Sequence, residues 1–243
     1  MSLSRRLAAE GVGSLLLGAT VVGSGIMAEH LAAANTAVAL LANTGATVAV
    51  LATLIGLLGP VSGAHFNPAV SFIQALRTCL SWRDAGLYSV AQILGCCLGA
   101  ILAHAMFELP LLQSSLHVRT GAAQWLAESV ATFGLLLVVL GIRRAQDAPW
   151  MVAGWIGAAY WFTASTSFAN PAITIARSLS NTFSGIRPID APAFVAAQLV
   201  GALLALLAAR TLFGAGELSA VEAQEGARPT DSASMSVPPG VQP

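Results

Sequence analysis

The sequence predicts an all-α membrane protein with six transmembrane helices and two shorter re-entrant half-helices, arranged as an inverted repeat. Two observations predict this class. Hydrophobic residues make up 56% of the 243 residues and charged residues only 9%, which leaves too little polar surface for a soluble domain of this size. One tripeptide also occurs twice, each time after a small, polar stretch and before an apolar one, as Asn67-Pro68-Ala69 and Asn170-Pro171-Ala172.

Six apolar stretches are long enough to cross about 30 Å of hydrocarbon at about 1.5 Å per residue. We predict transmembrane spans over residues 8–28, 37–58, 85–106, 122–141, 149–167 and 191–212. From Gly214 onward Ser, Pro, Glu, Gly and Ala dominate without periodicity. The sequence therefore predicts one channel-like domain over residues 1–213 and a disordered cytoplasmic tail over residues 214–243.

Each tripeptide is typical of a helix start. Proline lacks an N–H and suits the first helical turn, and the asparagine before it is a good N-cap. The apolar segments 67–78 and 170–180 are too short to cross a membrane, so we predict re-entrant half-helices. The chain divides near Gly121 into halves of similar order, about 5–110 and 121–212. Three spans per half give the halves opposite orientations, so the half-helices meet N-terminus to N-terminus.

The arginines predict the topology, and the chain has no lysine. Eight arginines fall on one side of the predicted spans: Arg5, Arg6, Arg77, Arg83, Arg143, Arg144, Arg210 and Arg228. Three fall on the other: Arg119, Arg177 and Arg187. The positive-inside rule then predicts a multi-pass protein of the plasma or inner membrane with both termini in the cytoplasm. The formal net charge of zero gives no indication of nucleic-acid binding.

Two acidic residues, Glu10 and Glu128, lie just inside the first span of each half. An ionisable group in a membrane span is costly and is a candidate functional residue, although both residues could instead lie among the lipid headgroups. The three cysteines, Cys79, Cys96 and Cys97, lack the spacing of a metal or redox site, so we predict free thiols, no metal and no cofactor. The absence of a nucleophile–base–acid set argues against an enzyme.

The stretch from Ser62 to Val70, SGAHFNPAV, resembles the loop B signature of the aquaporin and aquaglyceroporin (major intrinsic protein) family. The second tripeptide resembles the loop E triplet of that family. The resemblance covers about residues 5–212. It implies an aquaporin-like fold, a homotetramer with one pore per subunit, and passive diffusion of small neutral solutes. It also implies that Glu10 and Glu128 brace the two re-entrant loops.

The half-helices predict how such a pore would treat charge. Two facing helix N-termini place about half a positive charge each near the midplane, which repels cations and protons. The amides of Asn67 and Asn170 would donate hydrogen bonds to a passing oxygen, and the backbone before each tripeptide would supply carbonyl acceptors. His65, two residues before the first asparagine, would either line the pore or brace the loop.

The sequence departs from the family at the narrow outer constriction. In most members an arginine follows the second triplet and helps to form this selectivity filter, whereas here the residue is Ile173. Carried over by distance from the triplets, the other filter positions fall on Thr47, Ala158 and Ser167. The resemblance thus implies a wider and less polar filter. Arg177, one turn beyond Ile173, would either place a positive charge in the outer vestibule or contact a headgroup or loop.

The string that begins with the second asparagine, NPAITIAR, resembles the corresponding stretch of bacterial aquaglyceroporins linked to arsenic resistance. The predicted function is therefore a passive channel for small uncharged solutes, namely glycerol, urea, water and arsenite in its neutral form, that excludes protons and ions. A mainly water-selective aquaporin is the alternative within this class. An ion-coupled secondary transporter is the alternative from another class, since inverted repeats with broken helices also build transporters.

Overall fold

A computed structural model describes residues 1–214, and these residues are helical wherever they are regular, as the sequence predicts. Eight α-helices occur in this part of the chain: α1 (Leu3–Leu31), α2 (Thr36–Ser62), α3 (Pro68–Leu76), α4 (Trp82–Met106), α5 (Ala122–Gly141), α6 (Ala148–Phe162), α7 (Pro171–Ser178) and α8 (Ala191–Phe213). A short 3-10 helix, Ala145–Asp147, precedes α6. Apart from Gly214, the predicted disordered tail lies outside the described residues.

Five of the six predicted spans form helices that are long and apolar enough to cross a membrane, namely α1, α2, α4, α5 and α8. Helix α6 has 15 residues and so reaches about 22 Å. The prediction of a span over residues 149–167 is wrong at its C-terminal end, because α6 ends at Phe162. The next five residues, 163–167, are small and mostly polar, and the backbone N–H groups of Phe168 and Ala169 then donate to the Glu128 carboxylate instead of to a helix.

Helices α3 and α7 are the two predicted half-helices, and both start with the proline of a tripeptide. Asn67 caps α3 by accepting a 2.9 Å hydrogen bond from the backbone N–H of Ala69. Asn170 caps α7 by accepting one of 2.9 Å from the N–H of Ala172. The predicted N-caps are therefore confirmed, and each half-helix begins one residue later than the range predicted for it.

The first and last spanning helices of each half pack closely through glycine, α1 against α4 and α5 against α8. A Cβ added to Gly95 of α4 would lie 2.4 Å from the carbonyl oxygen of Gly11 in α1. A Cβ added to Gly201 of α8 would lie 2.1 Å from the carbonyl oxygen of Ser129 in α5. Small residues let transmembrane helices approach each other in this way. The two halves therefore repeat the same helix contact.

This contact predicts the effect of adding one methyl group. Gly95→Ala should lower the melting temperature of the purified protein, because overpacking a close contact costs about 1–3 kcal/mol. Gly86→Ala on the same helix is the matched control, since a Cβ there meets nothing within 4 Å and alanine favours helix. Thermal unfolding in detergent, followed by intrinsic fluorescence, compares the two variants. Equal melting temperatures would show that α1 and α4 do not approach through Gly95.

Candidate functional site

A cavity of about 1100 Å³ extends between the two halves to the point where the half-helices meet. Three arginines line one end of it, namely Arg6 near the start of α1 and Arg77 and Arg143 in two connections. All three belong to the group of arginines that the sequence places on one side of the spans. The lining also includes Asn67 and Asn170. The cavity therefore runs from one group of polar connections to the centre of the molecule.

The two asparagines join the halves at this centre. The Asn67 Nδ2 donates a 2.8 Å hydrogen bond to the carbonyl oxygen of Ala169, and the Asn170 Nδ2 donates one of 2.8 Å to the carbonyl oxygen of Phe66. Each half-helix cap is thus bonded to the loop of the other half. A side-chain amide has two N–H donors, so each asparagine keeps one donor for a molecule in the cavity.

The loops before the half-helices have left-handed backbone at matching positions. Ala64 and Phe66 in the first loop have φ of 49° and 48°, and Ser167 and Ala169 in the second have φ of 50° and 49°. Left-handed backbone costs a residue with a Cβ about 1–2 kcal/mol. The same register relative to the asparagine in both loops shows that the repeat extends to the backbone. Such a path leaves N–H groups without a helical partner, so side chains must supply acceptors.

Glu10 and Glu128 supply these acceptors. Glu10 accepts hydrogen bonds from the backbone N–H of His65 at 3.0 Å and of Phe66 at 2.7 Å. Glu128 accepts from the N–H of Phe168 and Ala169, both at 2.9 Å. Both glutamates are 0% exposed, so neither lies among headgroups. The geometry is that of a brace, because each carboxylate fixes the loop that leads into a half-helix.

Sequence reasoning missed two glutamines that hold these glutamates. The Gln92 Nε2 donates to Glu10 at 2.8 Å and to the Ser71 hydroxyl at 3.0 Å. In the second half, the Gln198 Nε2 donates to Glu128 at 2.6 Å and to the Thr174 hydroxyl at 2.9 Å. A signal was present, since each half has one glutamine within its last span and a hydroxyl residue four positions after its asparagine.

His65 combines the two roles that the sequence left open, lining the cavity and bracing the loop. Its ring lines the cavity, and its Nδ1 lies 3.0 Å from the Ser71 hydroxyl. The ring also packs edge-on against Tyr88, with centroids 5.4 Å apart. The side chain therefore borders the cavity and fixes the start of α3.

Three of the four residues predicted for the filter line the cavity, and the fourth does not. Thr47, Ser167 and Ile173 line the inner end of the cavity, whereas Ala158 is exposed on the outer surface of α6. The lining face of α6 carries Val152, Ile156 and Tyr160, which are spaced by one helical turn. Ala158 lies two residues from both Ile156 and Tyr160, nearly on the opposite face of a helix with 3.6 residues per turn.

Tyr160 therefore occupies the position for which Ala158 was predicted. Its hydroxyl lies 3.2 Å from the Thr47 hydroxyl, and both residues are buried. Ser167 places a hydroxyl at the same end of the cavity, and this hydroxyl is buried without a hydrogen-bond partner among the described residues. The inner end thus combines an aromatic ring, three hydroxyls and the aliphatic side chain of Ile173.

Arg177 makes a loop contact, which is compatible with both of the predicted alternatives. It is 2% exposed, and its Nε donates to the carbonyl oxygen of Ser184. The neighbouring loop contains a further arginine, Arg187, which forms an ion pair of 2.9 Å with Asp190. The Arg187 guanidinium holds the pKa of the Asp190 carboxyl below its usual value through a hydrogen bond.

Comparison with known proteins agrees with this architecture. The family model described as Major intrinsic protein matches residues 1–160. The aquaglyceroporin AqpS of Rhizobium meliloti (strain 1021) is 58% identical over 212 residues, which are 86% of this chain and 91% of that protein. The probable aquaporin AqpM of Archaeoglobus fulgidus is 30% identical over 235 residues, covering 84% of this chain and 95% of that protein.

Among solved structures, the aquaglyceroporin from Plasmodium falciparum has the same fold. The match has a TM-score of 0.65 and covers 90% of this chain and 99% of that chain. The sequence identity is 17%, so the comparison concerns the helix arrangement alone.

The position of Tyr160 leads to a prediction that separates it from Ala158. Tyr160→Ala should raise the permeability to glycerol and urea relative to water, because removing the ring widens the inner end of the cavity. Ala158→Trp is the matched control and should leave this ratio unchanged, since its side chain points away from the cavity. Stopped-flow light scattering of proteoliposomes measures both ratios. A lower glycerol-to-water ratio in Ala158→Trp would restore Ala158 to the filter.

Proposed function

The chain belongs to the major intrinsic protein family, and we propose that it is a passive transmembrane channel for small uncharged solutes of the glycerol and urea class. The observation that carries the proposal is the uncharged centre of the cavity. Where the half-helices meet, the lining consists of two asparagine amides, hydroxyl groups, and aromatic and aliphatic side chains. Within residues 1–214 no aspartate or glutamate lines the cavity. Such a lining suits polyols and amides, which donate and accept hydrogen bonds without charge.

The half-helices support the exclusion of ions. Helices α3 and α7 direct their N-termini at each other, with Asn67 and Asn170 at the junction. Each helix N-terminus carries about half a positive charge, and the carbonyl oxygens of Phe66 and Ala169 are already occupied by asparagine amides. A cation at this point would meet two positive dipole ends in a medium of low dielectric. Neutral solutes would meet only hydrogen-bonding groups.

Ile173 extends the proposal to neutral arsenous acid. An arginine in the filter would contribute a fixed charge and five N–H donors, whereas the isoleucine contributes an apolar wall. The relative in Rhizobium meliloti is named an aquaglyceroporin, and its high identity over most of both chains supports solutes larger than water. Arsenous acid has several hydroxyl groups and no charge at neutral pH, so a glycerol-type filter would accept it and reject charged arsenate.

The two rival functions make different demands on the cavity. A mainly water-selective pore would need a constriction too narrow for glycerol. A secondary transporter would need a titratable coupling group at the centre, but Glu10 and Glu128 are committed to backbone N–H groups and to glutamine. Stopped-flow permeability of proteoliposomes to water, glycerol, urea and arsenous acid tests the proposal. Water flux without glycerol or urea flux would favour the first rival.

Assembly and orientation are further parts of the proposal. The family membership and the exposed apolar side chains, such as Leu94, Leu98 and Leu203, support a homotetramer embedded in a bilayer with one pore in each subunit. The grouping of Arg6, Arg77 and Arg143 at one cavity end supports cytoplasmic termini in the plasma or inner membrane. The matched members of this family are channels, so no enzymatic activity is proposed.

The tetramer can be tested by native mass spectrometry from nanodiscs. We expect four chains of 24.8 kDa as the main species, because the exposed small and apolar faces can pack between subunits. Water permeability should rise linearly with the number of reconstituted chains, since each subunit would conduct alone. A monomer or dimer as the main conducting species would contradict the proposed assembly.

Changing Ile173 tests the filter directly. Ile173→Arg should lower glycerol and arsenous acid permeability by roughly tenfold or more, equivalent to about 1.4 kcal/mol of added barrier, because the guanidinium adds bulk and charge. Water should still pass, since it is small and accepts hydrogen bonds from arginine. Ile175→Arg on the same half-helix, at a partly buried position outside the cavity lining, is the control for a new arginine.

The measurement is solute uptake into proteoliposomes at matched protein density, with water permeability as the control for folding. If Ile173→Arg retains water flux and also retains glycerol and arsenous acid flux, Ile173 does not form the constriction. A loss of all fluxes, water included, in Ile173→Arg together with normal fluxes in Ile175→Arg would contradict the expectation that water still passes the new arginine.

A further inference from the structure

Two arginines pack on one aromatic ring beyond the inner end of the cavity. The Arg177 Cζ lies 3.4 Å and the Arg119 Cζ 5.1 Å from the centroid of the Phe168 ring. Phe168 itself lines the cavity and directly follows Ser167. Within residues 1–214 neither arginine lines the cavity itself, so the two guanidiniums border the proposed solute route only through the Phe168 ring.

Arg119 is fixed to both loops that surround this route. Its Nε donates to the carbonyl oxygen of Gly185 at 2.8 Å, and its Nη1 donates to that of Ser165 at 3.2 Å. Arg177 donates from Nε to the carbonyl oxygen of Ser184. These partners are neutral carbonyl groups, so the hydrogen bonds hold the guanidiniums in place without neutralising their charge.

One nitrogen of this arginine pair has no hydrogen-bond partner among residues 1–214. The Arg177 Nη1 is buried and unbonded among the described residues. A buried guanidinium that lacks hydrogen bonds is strongly disfavoured. Ser167 Oγ, at the same end of the cavity, is also buried and unbonded. Hydrogen bonding at the Arg177 Nη1 therefore does not disperse the charge that Arg177 places against the Phe168 ring.

The nearby carboxylates do not cancel the two charges by direct pairing. In residues 1–214, neither Arg119 nor Arg177 forms an ion pair within 4.0 Å, whereas Arg187 pairs with Asp190. Glu128 is the other acid near the cluster, and its oxygens accept from the N–H groups of Phe168 and Ala169. The surroundings of the Phe168 ring, which borders the cavity, therefore carry an excess of positive charge.

We propose that Arg177 and Arg119, packed on Phe168, form an outer cation barrier that replaces the filter arginine missing at Ile173. The inference rests on the proposed channel function and adds a residue assignment to it. Placed one helical turn beyond Ile173, the charge repels cations without narrowing the filter itself. The pore thus separates two tasks: Thr47, Tyr160 and Ile173 set the size of the solute, and the arginine pair excludes cations.

The test compares Arg177→Gln and Arg119→Gln with the parent protein in proteoliposomes. Potassium and proton leak is measured with a pH-sensitive dye under an imposed potassium gradient, and water and glycerol fluxes are measured in parallel. We expect each variant to raise the cation leak by roughly tenfold or more, because a unit charge near the path interacts strongly at an effective dielectric constant of about 20. Arg177→Lys keeps the charge and should restore cation exclusion.

Arg187→Gln is the matched control, because it removes a positive charge from the same group of outer connections but outside the cluster. Its cation leak should equal that of the parent. The inference is overturned if either cluster variant conducts water normally and leaks no more cations than the parent, or if Arg187→Gln leaks equally. Absence of glycerol and urea flux in a parent that conducts water would instead contradict the proposed function.

Discussion

The fold depends on satisfying backbone N–H groups where two loops leave helical geometry inside an apolar protein. Water is scarce at membrane depth, so an unpaired N–H there costs several kcal/mol. Glu10 and Glu128 each accept two such N–H groups, and a glutamine fixes each carboxylate. These buried acids are therefore structural groups. With the loops held, α3 and α7 can begin at the centre of the molecule and direct their caps at each other.

The same bracing makes a polar route possible. The cross-bonds from Asn67 to Ala169 and from Asn170 to Phe66 use one amide N–H each and leave the other available to a solute. The route needs no charged group at its centre, where the two helix dipoles already disfavour cations. Selectivity by size and selectivity by charge can then be placed at different depths, which is how Ile173 and Arg177 divide them in our proposals.

The sequence could predict this centre because local chemistry determines it. Asparagine followed by proline is a favourable helix start, and its recurrence before apolar residues identified both half-helices and their caps. Tyr160 could not be predicted in the same way. The rotation of α6 depends on its packing, and counting back from Asn170 reached Ala158 on the opposite face. The conformation of the loop after α6 likewise depends on a distant acceptor, Glu128, whose partners Phe168 and Ala169 are set by the tertiary packing.

The central claim is that neutral solutes cross this protein passively, without ion coupling. The most direct measurement is glycerol efflux from proteoliposomes in which ionophores have removed every proton and sodium gradient. The account predicts that efflux stays as fast as with the gradients in place, rises linearly with glycerol concentration, and exceeds that of protein-free vesicles. Efflux that saturates with glycerol and falls to the rate of protein-free vesicles when the gradients collapse would contradict it.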